Sequence, residues 1–366
     1  MSCAVADAEE LAEAVAACSP GRRILPVAGG SKPALSAEPR DDVDVLDVSA
    51  LSGVLEYDPA ELTLTARAAT PVTEVTDLLA ANGQYLPFDP PLADAGATLG
   101  GVVAAGASGP NALRHGTVRD FVIGVRLVDG TGTLVGGGGK VVKNAAGFDL
   151  PKLMVGSLGR LGVMTQLSFK VLPRPRAALT LEFAFDTTAD AVAAACACAG
   201  GPRELDAVDV LPGGCLVVRL GGDPEALVRR SRRLAAALGA APVAVEEGDA
   251  EAASWDDARE LRWAAAEATV VRVPGTAPTC VELERAVAVV GGETRISLAA
   301  NVAWVAWPAE QPLGDLDGLL RDAAATGQVI RGAVTAGDAV LGAPIRNTFG
   351  ERIRRALDPN RRFLEV

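Results

Sequence analysis

Apolar and polar positions alternate along residues 163–171, with Val163, Thr165, Leu167, Phe169 and Val171 on one face and Met164, Gln166, Ser168 and Lys170 on the other. That period of two predicts a β-strand. The same signal predicts strands over 62–66 and 179–185, and shorter apolar runs predict them at 23–27, 44–48, 208–211, 216–220, 269–273 and 303–307. Residues 122–128 and 133–135 flank Asp129-Gly130-Thr131-Gly132, a hairpin signal. Helical spacing takes over at 7–18, where Leu11, Val15 and Cys18 share a face and Ser19-Pro20-Gly21 stops the run. A helix opening at Pro71 carries Val75, Leu78 and Leu79 and ends at Gly83. A short one over 149–155 has Pro151 in its first turn, and others are predicted at 189–199, 225–238 and 351–357. Pro173-Arg174-Pro175-Arg176 reads as a domain boundary, since alternating proline favours extended chain. Beyond it a β-α-β-β-α order suits a ferredoxin-like α+β module, and no tandem repeat stands out.

The chain has 366 residues, of which 49% are hydrophobic, enough for two domains with a large core. Its formal net charge of −12 argues against a nucleic-acid partner, because a phosphate backbone demands a basic face. Six cysteines contain no C-x-x-C pair, so neither an iron–sulfur cluster nor a zinc ribbon is supported. Cys196 and Cys198 sit in an alanine-rich run that suits small buried thiols. The start lacks a basic and then apolar leader, and no apolar run is long enough to span a membrane. A reducing, cytoplasmic setting is the expectation.

Glycine changes the picture most. Between Thr98 and Pro173 it clusters at Leu99-Gly100-Gly101, at Ala105-Gly106-Ala107-Ser108-Gly109, and at Gly156-Ser157-Leu158-Gly159-Arg160-Leu161-Gly162-Val163. A third bend, Ala28-Gly29-Gly30-Ser31-Lys32, follows the strand at 23–27 and offers amides, a hydroxyl and an ammonium. Successive amides in such turns make concave anion sites, so the three bends predict a cradle for a phosphate-bearing cofactor. The order helix–turn–strand around Gly156 does not fit the dinucleotide fingerprint, and no G-K-[ST] P-loop occurs. Glycines serving tight turns alone remain the ordinary alternative. Lys140 could meet a phosphate or lie on the surface.

Four motifs together carry a resemblance: Thr98-Leu99-Gly100-Gly101, the Arg114–Phe121 run RHGTVRDF, the 143–150 run KNAAGFDL, and the GSLGRLG turn. They resemble the FAD-binding domain of the vanillyl-alcohol-oxidase or p-cresol-methylhydroxylase (PCMH) type, and within it the FAD-binding, smaller flavin subunits of glycolate oxidases. The resemblance implies an α+β fold: a two-subdomain PCMH-type FAD-binding domain over 1–175, a ferredoxin-like cap over 176–340, and a C-terminal segment, 341–366, returning to the FAD domain. It implies noncovalent FAD on Ala28, Gly29, Gly30, Ser31, Lys32, Thr98, Leu99, Gly100, Gly101, Ala105, Gly106, Ser108, Gly109, Gly116, Gly156, Ser157, Gly159, Gly162 and Val163. The connector Pro87-Phe88-Asp89-Pro90-Pro91 is expected to approach the flavin. Two departures stand out. Leu158 occupies a place where catalytic relatives commonly carry Glu, and the tail reads Leu357-Asp358-Pro359-Asn360-Arg361-Arg362-Phe363-Leu364 where the family closes on an NPG-type end.

Oxidation of a 2-hydroxy acid needs a base or metal for the hydroxyl proton and a cation for the carboxylate. Catalytic relatives use paired cap-domain histidines around a metal, yet this chain has one histidine, His115. A two-histidine centre cannot form from it, and no metal is expected. His115 reads as hydrogen-bonding or surface rather than as a covalent flavin tether. Arg114 and Arg119 could neutralise phosphate or carboxylate, or pair with Asp120. Trp255, Arg259, Glu260 and Arg262 form a helical face suited to a partner or to cap packing. The expected function is the FAD-binding subunit of a glycolate oxidase or dehydrogenase complex. Its expected partners are a larger catalytic flavin subunit and an iron–sulfur subunit, and through them it would lie at the inner face of the membrane. The alternatives are a self-sufficient FAD oxidoreductase on another small hydroxy acid or alcohol, and a scaffold that binds flavin weakly.

Overall fold

The computed structural model describes residues 2–32, 41–139, 149–201, 204–332, 339–343 and 348–364. Lys140 and residues 143–148 of the KNAAGFDL run lie outside them.

Three strands, β1 (Ser2–Ala4), β2 (Arg23–Val27) and β3 (Val43–Asp47), form a parallel sheet in the order β1-β3-β2. Parallel neighbours need a crossover, and α1 (Ala8–Ala17) lies between β1 and β2 in the chain. The Asp7 side chain caps α1 by accepting from the Glu10 amide, while Leu11 and Val15 are buried beneath it. The chain then runs through β4 (Val54–Asp58), β5 (Thr63–Arg67), α2 (Val72–Ala80), β6 (Gln84–Tyr85), α3 (Leu99–Ala105), α4 (Ala112–His115), α5 (Val118–Phe121), β7 (Val122–Val128), β8 (Leu134–Gly138), α6 (Leu150–Met154), β9 (Val163–Lys170) and β10 (Leu172–Pro173). Antiparallel β4, β5, β9, β7 and β8 stand side by side in that order. β9 is central and buried on both faces: Ser168, on the expected polar face, is buried and pairs with Thr65 through hydroxyls 2.8 Å apart.

From Ala177 onward the elements are β11 (Ala177–Ala184), α7 (Thr188–Ala199), β12 (Ala207–Leu211), β13 (Cys215–Gly222), α8 (Pro224–Leu238), β14 (Ala244–Glu247), α9 (Gly248–Arg259), β15 (Thr269–Pro274), α10 (Ala277–Val289), β16 (Glu293–Ser297), β17 (Val302–Trp307), α11 (Leu313–Asp322), β18 (Thr326–Arg331), β19 (Val340–Gly342) and α12 (Thr348–Leu357). Among the described residues these strands make one nine-stranded sheet, ordered β14-β11-β13-β12-β16-β17-β15-β18-β19. It contains two βαββαβ units, the second a reversed copy of the first, joined where Val210 of β12 meets Ile296 of β16. The sequence predicts one such module and no repeat. The repeat is one of element order, which a search for recurring residues does not register.

Alternation then sorts the sheet's two faces. Val271, Val273, Val305 and Val329 pack under the helices with Cys280, Leu283 and Leu316. Val270, Trp304 and Ile330 face the other way, into a core shared with Leu99, Val103 and Ala105. The chain end returns to the first sheet: Phe363 pairs with Ile24, whose amide donates to the Arg362 carbonyl at 2.6 Å. The buried Asp358 carboxylate holds that turn by accepting from the Arg362 and Phe363 amides at 2.8 and 3.0 Å.

Candidate functional site

A groove opens between the three-stranded and five-stranded sheets, and all three glycine bends meet in it. Ala28, Gly29, Gly30, Ser31 and Lys32 line it from the end of β2. Thr98, Gly100, Gly101 and Ala105 line it from α3, and Gly159, Gly162 and Val163 from the turn into β9. Its apolar floor includes Val48, Ala68, Ala69, Ala104 and Met164. These alanines and the methionine were not legible as lining, because a small or apolar side chain carries no local signal for which cleft it borders. Leu158 also lines the groove, in a left-handed conformation with φ 52°.

The remaining candidates do not reach the groove. Leu99 is turned into the core. Gly106 closes α3 against Gly156, and Gly109 packs on Asp89. The Ser108 hydroxyl accepts from the Val118 amide at 2.9 Å, and Gly116 sits against Asp120. The Gly156 amide donates to the Val103 carbonyl, while the Ser157 hydroxyl is buried without a partner among the described residues. Nor does the 87–91 connector line the groove: Phe88 is buried and stacks on Phe169 with ring centroids 5.8 Å apart.

The expectation that all three bends offer free amides needs correction. The second bend is the first turn of a helix, and its amides are used internally. Leu99 donates to Thr70 O at 3.1 Å, Gly100 to Ala68 O at 2.6 Å, and Gly101 to the capping hydroxyl of Thr98 at 3.2 Å. In the third bend the amides of Gly156, Ser157, Leu158 and Arg160 are likewise spent. The amides of Gly29, Gly30, Ser31, Lys32, Gly159 and Gly162 donate to no described residue. Anion-binding capacity therefore concentrates at the first bend and the end of the third. Gly29 is required there by contact: a Cβ would fall 1.9 Å from the Gly96 carbonyl oxygen.

Lys32 supplies the charge. Its side chain lines the groove with the residue only 7% exposed. Among the described residues its ammonium has one hydrogen-bond partner, Ser31 Oγ at 3.1 Å. Burial pushes its pKa down to about 8, against an opposing pull from Glu260. A buried, underpaired cation flanked by free amides fits a diphosphate, and the alanine-rich floor fits flat apolar rings.

The other candidate side chains lie elsewhere. The His115 Nε2 is 3.1 Å from the Tyr85 hydroxyl, and burial with the Arg114 charge lowers its pKa. Arg114 pairs with Asp206 rather than Asp120, which instead caps Thr117, and Arg119 donates to the Lys152 carbonyl at 2.5 Å. Trp255 is buried under the guanidinium groups of Arg219 and Arg295. Glu260 accepts from the Ala93 amide at 2.8 Å and Arg262 pairs with Asp94, so the 255–262 face packs against the chain after the connector. Cys198 is buried but Cys196 is exposed. Among the described residues no group of three histidine, cysteine or acidic side chains could hold a metal. No helix there is long and apolar enough to cross a membrane.

Comparison with known proteins decides which phosphate-bearing cofactor the groove suits. Residues 2–137 match the sequence model of the FAD binding domain family. This chain carries an FAD-binding domain. FAD is its cofactor. The chain is 52% identical over 136 residues to glycolate oxidase subunit GlcE of Escherichia coli (strain K12), covering 37% of this chain and 39% of that protein. It is 30% identical over 194 residues to glycolate oxidase subunit GlcD of Bacillus subtilis (strain 168), covering 51% of this chain and 41% of that protein. It is 33% identical over 171 residues to the mitochondrial D-lactate dehydrogenase [cytochrome] 1 of Saccharomyces cerevisiae, covering 46% and 29%. Each match thus spans less than half of the relative's length. The fold is shared with a solved alkyldihydroxyacetonephosphate synthase, at a TM-score of 0.74 and 17% identity over 100% of this chain and 77% of that one.

Proposed function

We propose that this chain is the FAD-binding subunit of a complex that oxidises glycolate to glyoxylate, working with a larger catalytic flavin subunit and an iron–sulfur subunit. The observation that carries the reading is the 52% identity to a glycolate oxidase subunit in a chain whose groove presents Lys32 and free amides. Gly29 to Lys32, with Gly159 and Gly162, would hold the FAD diphosphate noncovalently. Val48, Ala68, Ala69 and Met164 would flank its rings. Bound FAD supplies a two-electron acceptor.

Substrate proton chemistry falls mainly to a partner. The only histidine of the sequence is hydrogen-bonded to Tyr85 outside the groove. Docking to such partners would place the chain at the cytoplasmic face of a membrane.

The test is turnover by the purified chain with glycolate and an artificial electron acceptor, beside flavin and iron analysis of what co-purifies from native extract. The reading expects no turnover alone, and flavin plus iron in the co-purified assembly. Glycolate or lactate turnover by the isolated chain would replace it with a self-sufficient oxidoreductase.

A further inference from the structure

The nine-stranded sheet ends at β14, which pairs with β11 on one side and with no described strand on the other. An edge strand offers unpaired backbone groups to another chain unless charge, proline or an overlying element blunts it. One face of β14 is covered by α9, where the Ser254 hydroxyl donates to Glu246 Oε2 at 2.6 Å. The other face is open. Val245 lies opposite Leu181 and Glu247 opposite Leu179, so both share the face on which Leu179 and Leu181 pack with Leu227 and Leu234 of α8. Val243, two residues before Val245, points the same way. The helical layer leaves them uncovered: Val243 is 65% exposed and Val245 53%.

Helix α8 turns a matching flank to this edge. Arg230 donates to the carbonyls of Gly221 at 2.7 Å and Glu204 at 2.6 Å, which anchors its flank toward β13. At about 100° per residue, Val228 and Arg232 fall on the opposite flank, toward β11 and β14. Val228 is 49% exposed, so three of the seven exposed large apolar side chains among the described residues meet at one sheet edge. The patch also carries both charges. Arg232 is exposed and pairs with no carboxylate among the described residues. Glu247 is exposed too, and although it stands at the start of α9 its side chain makes no capping hydrogen bond. An acid and a base that border one apolar face and leave each other unpaired suit a two-fold contact, in which each meets its opposite on the other copy.

We propose that this edge docks a second copy of the chain. The two β14 strands run antiparallel with Val245 opposite Val245, and the sheet continues from one copy into the other. That register sets Val243 against Glu247 of the second copy and keeps the two Glu247 carboxylates apart. Val228, Val243 and Val245 of both copies cover one another, and Arg232 meets Glu247 of the second copy. The contact lies at the end of the sheet remote from β15, β17 and β18, whose Val270, Trp304 and Ile330 face the FAD-binding domain, so it leaves the cofactor groove untouched. It does not rest on the glycolate reading.

Sedimentation velocity of the full chain from about 1 to 300 µM tests it. The wild type is expected to pass from monomer to dimer in that range, since a small contact gives micromolar affinity. Val245→Asp should raise the dissociation constant at least about tenfold and leave the melting temperature unchanged, because the side chain is already exposed. Val289→Asp, at an exposed valine of α10, is the control and should dimerise as the wild type does. Glu247→Arg and Arg232→Glu should each weaken the dimer alone and restore it when mixed, because every contact in the mixed dimer again joins a base to an acid. A wild type that stays monomeric throughout overturns the proposal, as does a dimer that V245D leaves intact. Charge variants that dimerise like the wild type, or that fail to recover on mixing, overturn the pairing of Arg232 with Glu247. A monomeric wild type whose co-purifying protein is lost in V245D gives the edge to a different chain, and overturns a second copy as its occupant.

Discussion

The Gln328 side chain reaches from the nine-stranded sheet to the carbonyl of Ala105, 3.1 Å away, at the end of the helix that walls the cofactor groove. One amide thus ties the sheet that faces the groove to the element that shapes it. Replacing it with an apolar isostere leaves that carbonyl without its donor. Gln328→Leu should lose about 1 kcal/mol in urea unfolding, the usual net worth of one hydrogen bond.

Lys32 makes the stability of the flavin-free protein depend on pH. Its folded pKa of about 8 lies below the ordinary lysine value of 10.5. The unfolded chain therefore binds more protons between those values, and stability should rise as pH climbs from about 8 to 10.5. Below pH 8 the full cost of the buried charge is present. Lys32→Met should raise the melting temperature of the flavin-free protein at pH 7 and flatten this rise, as read by thermal melts across the range.

Gly29 and Gly30 should respond differently to the same change. At Gly29 a Cβ collides with the Gly96 carbonyl at 1.9 Å, and the clash is between backbones. Gly29→Ala should displace the bend and abolish tight FAD binding. Gly30 has φ 67° with nothing within 4 Å of an added Cβ, so Gly30→Ala should cost about 1 kcal/mol of strain and leave the groove formed. Thermal melts and FAD titration of both variants check the contrast.

How much of this was legible beforehand follows from what each residue reports. The strand at Arg23–Val27 and the bend after it are local, and the apolar run ending in Gly29-Gly30-Ser31-Lys32 announces them. Gly100 is different. Its sequence context suggests an exposed amide, but the amide is consumed by Ala68, and a Cβ there would lie 2.9 Å from that carbonyl oxygen. The glycine serves close packing between elements distant in the chain, which no single-strand pattern reveals. The burial of β9 on both faces has the same cause, since its position between β5 and β7 is a property of topology.

The buried pair Arg295–Asp209 should be among the most sensitive points of the nine-stranded sheet. Both partners are buried, and Asp209 holds Arg295 and Ser297 together. Asp209→Ala leaves a buried guanidinium without its counter-charge and should cost roughly 3–5 kcal/mol, measured by denaturant unfolding.

FAD should leave the protein intact on acid precipitation, because His115 lies outside the groove against Tyr85. His115→Ala should keep its full flavin content by absorbance. Flavin remaining with the precipitated polypeptide would show a covalent link instead.

The central claim is that the first glycine bend and its buried lysine grip the cofactor's phosphates. Titration of FAD into flavin-free protein, followed by quenching of flavin fluorescence, tests it most directly when run on the wild type and Lys32→Met from pH 7 to 10. The account predicts one saturable site in the wild type whose affinity falls as pH rises above about 8, the value at which Lys32 loses its proton in the empty groove. It predicts binding weaker by roughly 10- to 100-fold in K32M, with that pH dependence gone. Equal affinity and equal pH dependence in the two proteins would contradict it.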